Sequence, residues 1–261
     1  MTIDETFAAL RTTSPLVHNI TNYVAMNITA NVLLAAGASP AMVHADEEVA
    51  DFVPISNALT INIGTLSPSW VGAMKRAAHC AVDTQTPWVL DPVAHFATPY
   101  RQKVVTELVA LAPTIIRGNA SEILALSGAV SAGKGVDAGD SVADAETGAM
   151  ALAQAQSCVV AVTGAVDFVT DGTRSARVSG GSDLMPKVTA MGCSLTGLMG
   201  AFAAVSEPFD AALGAVSLYA VAGSHAAKTA RGPGSFEPAF LDALSLITPE
   251  ILLAEAQIEW V

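Results

Sequence analysis

The strongest constraint on this chain is a recurring alternation: short, β-rich apolar runs separated by longer stretches with helical spacing. Extended runs are expected at residues 16–20, 41–44, 59–63, 88–91, 114–117, 158–163 and 168–170, and helical stretches at 23–36, 70–83, 99–111, 122–127 and 143–156. Such alternation builds an α/β fold with a mostly parallel sheet and helices on both faces. Runs such as VVAV are apolar throughout, as expected for strands buried on both sides. From residue 193 onward the pattern is helical, with candidate helices at 193–206, 210–229 and 236–247 packing on one sheet face. No low-complexity linker divides the chain, so a single domain over residues 1–261 is expected, with SGAVSAGKGVDAGDS (127–141) as a loop inside it.

Composition narrows the function classes. An apolar share of 52% and a charged share of 14% allow a large core and argue against disorder. The 24 acidic and 12 basic residues leave a net charge of −12, which opposes a nucleic-acid or anionic-membrane surface. Cys80, Cys158 and Cys193 are odd in number and lack CxxC or Cys/His ligand spacing, so neither a disulfide framework nor a structural zinc site is expected. The start, MTIDETFAAL, carries acids where a signal peptide needs positive charge. The most apolar region, 195–227, is broken by Glu207, Pro208, Asp210 and His225, and neither half reaches the roughly 20 residues of a membrane span. A cytoplasmic protein is expected.

In open α/β sheets, ligands bind outside the carboxyl ends of the strands. Polar residues gather at those ends: 18–22, Asn62 with Gly64, Asp91, 117–122 and Thr163. In VTAMGCSLTG (188–197), a Gly192 turn would feed Cys193 at a helix start, where free N–H groups suit an anion and the thiol pKa would be lowered. Cys193 reads equally well as a small core residue. Asp91, in VLDPVA, suits Mg²⁺ or a plain turn. Arg117, in RGNASE, can pair with phosphate, while Glu122 suits either a metal–water shell shared with Asp91 or a first-turn helix acid. Thr163-Gly164 suits a nucleotide edge or an ordinary turn, and DFVTDG after it reads as a hairpin. Together, two strand-end acids and one arginine resemble phosphoryl-transfer equipment, in which positioning and charge neutralisation do most of the catalysis.

Several other residues invite simpler readings. Thr21 or Asn22 serves as a helix N-cap, Met42 as an apolar wall, and His79 and His225 as structural or exposed side chains. The stretch GAVSAGKG (128–135) matches a Walker A motif until Gly135 replaces the required Ser or Thr. It also follows the helical run SEILALS rather than a strand, so Lys134 is not read as a P-loop lysine.

The ordered segments HNITNYVAMNITANVLLAAGASPAMVHA, INIGTLSP, VLDPVA, IIRGNASEI, VAVTGAVD and MGCSLTG resemble the hydroxyethylthiazole kinases, within the ribokinase-like kinases, over about residues 15–206. The resemblance implies a ribokinase-like fold without a lid. It also implies ATP- and Mg²⁺-dependent phosphorylation of 4-methyl-5-(2-hydroxyethyl)thiazole in thiamine biosynthesis and salvage. By motif it assigns Met42, Ala190 and Asn19 to the substrate, Arg117, Thr163 and Gly192 to ATP, and Asp91 and Glu122 to Mg²⁺. Cys193 falls where most ribokinase-like enzymes carry a catalytic aspartate. A homotrimer with active sites between subunits is implied, with Asn19 lining the thiazole pocket across that interface. Neighbouring activities of the same fold are phosphorylation of hydroxymethylpyrimidine and ADP-dependent dehydration of NAD(P)H hydrate.

One departure stands out. The family motif T-G-x-G-C reads TAMGC here, with Ala190 at the first glycine. Alanine there is strained by roughly 1–2 kcal/mol if φ is positive, and harmless if only a small side chain is needed. The intact remainder of the motif favours the harmless case.

Overall fold

The computed structural model describes residues 1–128 and 142–261. Within them, nine strands form one sheet: β1 (Leu16–Ile20), β2 (Ser39–Met42), β3 (Ala58–Asn62), β4 (Trp88–Asp91), β5 (Ile115–Asn119), β6 (Val159–Thr163), β7 (Val166–Thr170), β8 (Ser175–Ser179) and β9 (Gln257–Trp260). Their order is β2-β1-β3-β4-β5-β6-β7-β8-β9. The first six are parallel, and β7, β8 and β9 are added antiparallel. The helices are α1 (Ile3–Thr13), α2 (Met26–Ala36), α3 (Val49–Phe52), α4 (Pro68–Thr84), α5 (Pro99–Val109), α6 (Ala120–Leu126), α7 (Val142–Gln156), α8 (Met191–Ala203), α9 (Pro208–Ala227), α10 (Pro233–Leu246) and α11 (Pro249–Glu255).

Successive strand residues face opposite sides of a sheet, and this sorts the apolar residues into two cores. Val17, Val89 and Ile115 point into one core with α1, α2, α8, α9 and α10. Leu59, Ile61, Trp88, Leu90 and Ile116 point into the other, with α4, α5, α6 and α7. Trp88 is 1% exposed; burying a side chain of this kind stabilises the fold by about 2–3 kcal/mol. Both faces are covered, which is why these strands lack a polar side.

Parallel strands bring their carboxyl ends to one rim, so Asn62, Asp91, Asn119 and Thr163 line up along it. The sheet reverses its direction of growth at β1, with β2 on one side and β3 on the other, which opens a crevice at those strand ends. Helix α8 crosses this region, resting Gly197 and Gly200 against Thr29, Thr60 and Val17. That close seat carries the start of α8 to the rim beside Asp91.

Several boundaries differ from expectation. The helix expected from residue 23 begins at Met26, because the Asn22 side-chain oxygen accepts the N–H groups of Val24 and Ala25 in a turn. The strand expected at 41–44 lies at Ser39–Met42, in register with β1 so that Asn19 faces Met42. The hairpin in DFVTDG forms, turning at Gly172 (φ +86°), but its first arm starts at Val166. The chain also does not stay helical to its end: Ile258 on β9 pairs opposite Val178 on β8. Helices α1 and α11, not anticipated above, carry local start signals, a Thr2/Glu5 capping box and a Thr248 cap followed by Pro249, whereas edge strand β9 depends on its pairing with β8. The loop reading of 127–141 and the rejected Walker-like stretch with Lys134 fall, beyond Gly128, outside the described residues. Among the described residues, no helix is long and apolar enough to cross a membrane.

Candidate active site

Asp91 ends β4 and is fully buried. Its Oδ2 accepts hydrogen bonds from Asn62 Nδ2 (2.7 Å), Thr196 Oγ1 (2.8 Å) and Arg117 Nη1 (3.4 Å), whereas its Oδ1 is buried without a partner. Burial pushes the Asp91 pKa up to about 6, against the pull of the neighbouring Arg117 guanidinium.

Arg117, on β5, also donates from Nη2 to Thr163 Oγ1 at 2.6 Å, and its side chain is 11% exposed. Its guanidinium lies flat against the start of α8. A Cβ at Gly192 would stand 2.6 and 2.8 Å from Nη2 and Nη1, so only glycine leaves room for this arrangement. The first turn of a helix has free N–H groups, here those of Met191, Gly192 and Cys193. Two positively polarised features, a guanidinium and a helix start, therefore meet at one point. Like charges brought together gain most from a shared anion.

The turn before α8 corrects two expectations. Gly192 is not the turn residue; it is the second residue of the helix, and the turn is made by Ala190. Ala190 sits at φ 62°, ψ 18°, in the left-handed region, so it is strained rather than harmless. Beneath it, Tyr219 Oη donates to Met191 O at 2.7 Å and lies 2.7 Å from Ser194 Oγ, which holds the first turn in position.

Cys193 is half-buried, and its Sγ accepts from Asn22 Nδ2 at 3.3 Å. A lowered thiol pKa was expected from the helix start. Burial instead raises it, the Asp91 carboxylate adds to the rise, and Arg117 only partly opposes them. The thiol is therefore protonated at neutral pH.

Glu122 stands in the first turn of α6, where its carboxylate accepts from Asn119 N (2.8 Å) and Ala94 N (2.9 Å). It makes no hydrogen bond to Asp91; it ties the loop after β4 to the start of α6. Asn19 is fully buried between β2 and β3, donating to Val17 O (2.9 Å) and accepting from Thr60 Oγ1 (2.7 Å). Met42 is half-buried on the edge strand β2, in register with Asn19. The candidates thus divide into an Arg117–Thr163–Gly192–Asp91 group and a β1–β2 group of Asn19 and Met42. Cys193 and Asn22 lie at the strand ends with the first of these.

A cavity of about 580 Å³ opens on the first group, lined by Arg117, Thr163, Gly164, Asp167, Gly192 and Tyr219 among others. Asp167 faces it with Oδ1 accepting from Gly164 N at 2.9 Å, and burial pushes its pKa up to about 6. A second cavity, about 660 Å³, lies at the other end of the sheet around Pro113, Cys158 and Asp210, and holds none of the candidates. Asp167, Thr196 and Tyr219 were missed as site residues, and Asn62 was read only as a polar strand end with no assigned role.

Among the described residues, no three His, Cys, Asp or Glu side chains converge on a point where a metal could sit. Mg²⁺, however, keeps most of its waters and takes one or two carboxylates together with phosphate oxygens. The orphaned Asp91 Oδ1 is the kind of oxygen such an ion uses, so the donor set fits a water-rich, phosphate-bridged Mg²⁺ and does not fit a closed protein cage.

The sequence matches the model of the hydroxyethylthiazole kinase family over residues 7–250. It is 62% identical to the hydroxyethylthiazole kinase of Roseobacter denitrificans over 241 residues, covering 92% of this chain and 94% of that protein. The structure superposes on that of a hydroxyethylthiazole kinase from Pyrococcus horikoshii with a TM-score of 0.92 at 39% identity, covering 99% and 98% of the two chains. A ribokinase-like superfamily protein from Enterococcus faecalis, at 14% identity, shares the fold with a TM-score of 0.66 over 94% of this chain and 89% of its own.

Proposed function

We infer, from a chain that belongs to the hydroxyethylthiazole kinase family, that this protein transfers the terminal phosphoryl group of ATP to the hydroxyl of 4-methyl-5-(2-hydroxyethyl)thiazole, in thiamine biosynthesis and salvage. The observation that carries this reading is the Arg117 guanidinium lying on Gly192 at the start of α8, beside an open cavity.

In the proposed mechanism the ATP phosphates lie against Arg117, Thr163 and the N–H groups around Gly192. Phosphoryl transfer asks for positioning and charge neutralisation more than covalent chemistry, and these groups supply both. Met42 and Ala190 flank the thiazole, and Asn19 helps hold β1 to β2 beneath it through a 3.4 Å hydrogen bond from its Nδ2 to Ala41 O. The substrate hydroxyl attacks the terminal phosphorus in line, and the bond from that phosphorus to the ADP oxygen breaks. A protonated Cys193 cannot take the hydroxyl proton, so the thiol orients the hydroxyl and the proton leaves on a phosphoryl oxygen. Asp91, through its unpartnered Oδ1, would hold Mg²⁺ with Glu122 nearby, and the ion would supply further neutralisation of the phosphate charge.

The same reading takes the chain as one ribokinase-like unit that works in the cytoplasm as a homotrimer, with active sites between subunits. Tyr23 and Val24, 67% and 61% exposed next to Asn22, support an interface on that side of the site. ADP release should require both the thiazole alcohol and Mg²⁺. Faster turnover of hydroxymethylpyrimidine, or dehydration of NADPH hydrate without transfer to the thiazole, would overturn the assignment.

A further inference from the structure

Two asparagines stand between the Cys193 sulfur and the Asp91 carboxylate, and backbone donors dictate how each is turned. Asn22 Oδ1 accepts the N–H groups of Val24 (3.1 Å) and Ala25 (3.0 Å), which can only donate. Its Nδ2 must therefore face the other way, toward Asn62 Oδ1 (2.9 Å) and Cys193 Sγ (3.3 Å). Asn62 Oδ1 also accepts the N–H of Gly64 at 2.9 Å, which leaves its own Nδ2 to donate to Asp91 Oδ2 at 2.7 Å. An amide has two N–H hydrogens and one oxygen, so the proton directions in this chain are settled by inventory.

The surrounding backbone is built around the same contact. A Cβ at Gly64 would stand 2.7–2.9 Å from the Asn22 amide, so this glycine is the surface against which Asn22 rests. Arg101, on α5, pins that segment by donating to Gly64 O (2.7 Å), Ile63 O (2.9 Å) and Val93 O (2.9 Å). Asn22 and Asn62 are 5% and 2% exposed, so water does not compete for these bonds.

We propose that Asn62 is a positioning residue: it holds the Asn22 amide so that one N–H reaches the Cys193 sulfur, and it ties that pair to the Asp91 carboxylate. The sulfur's lone pair is then occupied on the Asn22 side, and its S–H is turned away from Asn22. The importance of this for phosphoryl transfer rests on the kinase reading above. The hydrogen-bond chain itself does not.

The test follows iodoacetamide modification of Cys193 against pH in the full chain, read by peptide mass spectrometry so that Cys80 and Cys158 are scored separately. An N–H donated to sulfur favours the thiolate, so losing it moves the midpoint of the profile upward. Asn22→Ala and Asn62→Ala should each raise the midpoint, and the double variant should raise it by clearly less than the sum of the two, because Asn62 acts in large part through Asn22. If Asn62→Ala does not fold, Asn62→Leu removes the same polar groups at similar volume and carries the same expectation. An unmoved midpoint in the folded Asn62 variant, or a double variant showing the sum of the two shifts, would overturn the proposal. In parallel, kcat with the thiazole alcohol should fall about tenfold in Asn62→Ala. A wild-type protein that releases no ADP would sink the kinase reading while the thiol profile still judges the hydrogen-bond chain.

Discussion

Gly192→Ala separates stability from activity at this site. Gly192 is an ordinary helical residue with no positive φ, so alanine should stabilise α8 by up to about 1 kcal/mol through helix propensity alone. The new methyl would nevertheless stand 2.6 Å from Arg117 Nη2 and 2.8 Å from Nη1. Side-chain atoms do not tolerate that approach, and the end of the arginine is what can yield. Moving it breaks the 2.6 Å bond to Thr163 and withdraws the guanidinium from the helix start. A hydrogen bond to a charged group contributes about 1.5–3 kcal/mol. At 1.36 kcal/mol per decade, losing one toward bound phosphate lowers kcat/KM for ATP by about 10- to 150-fold. The melting temperature should stay within a few degrees of wild type, because the propensity gain offsets the lost Thr163 bond. Coupled ADP-release kinetics with varied ATP, beside a thermal melt, reads both quantities. A kcat/KM for ATP within twofold of wild type would show that Arg117 and Gly192 do not share a phosphate.

Three further outcomes follow from the same structure. Ala190→Gly relieves a left-handed strain of about 1–2 kcal/mol and gives back about 0.4–1 kcal/mol in unfolded-chain entropy, so the melting temperature should rise by about 2 °C, and a fall would contradict the strain. Cys193→Ala should lower kcat about tenfold, the loss of one orienting hydrogen bond, while Cys193→Asp supplies an acceptor and should retain more turnover; full activity in the alanine variant removes Cys193 from the mechanism. His18 is fully buried, and burial lowers its pKa to about 4 from the ordinary value of about 6.5. The unfolded chain then binds the extra proton between those values, so stability is present at pH 7 and is lost as pH falls through 6.5 toward 4. Urea unfolding should show about 2 kcal/mol less stability at pH 5 than at pH 7 from this group, and His18→Gln should reduce that difference.

How much of this was readable in one dimension depends on the kind of force involved. The strands VVAV and WVLD announce themselves because both their faces are buried, and such strands must be apolar almost throughout. Strand β9, QIEW, has no such requirement at the sheet edge and was invisible. Its pairing with β8 supplies what its own residues do not. The site residues were legible as polar side chains at strand ends. Their partners were not: Asn62 and Thr196 converge on one Asp91 oxygen from positions 29 and 105 residues away.

The amino-acid order alone determined the layered sheet and which rim of it carries polar chemistry, because burial periodicity is a local property that each segment expresses for itself. The tertiary structure decided the rest. It put Ala190 in a left-handed turn, laid Arg117 on Gly192 and turned Asn22 toward the Cys193 sulfur. It also reversed the expected direction of the thiol pKa, since the helix start that lowers it is a sequence-local feature while the burial and the Asp91 charge that raise it come from distant segments. Dielectric surroundings and ångström-scale approach exist only once those segments meet.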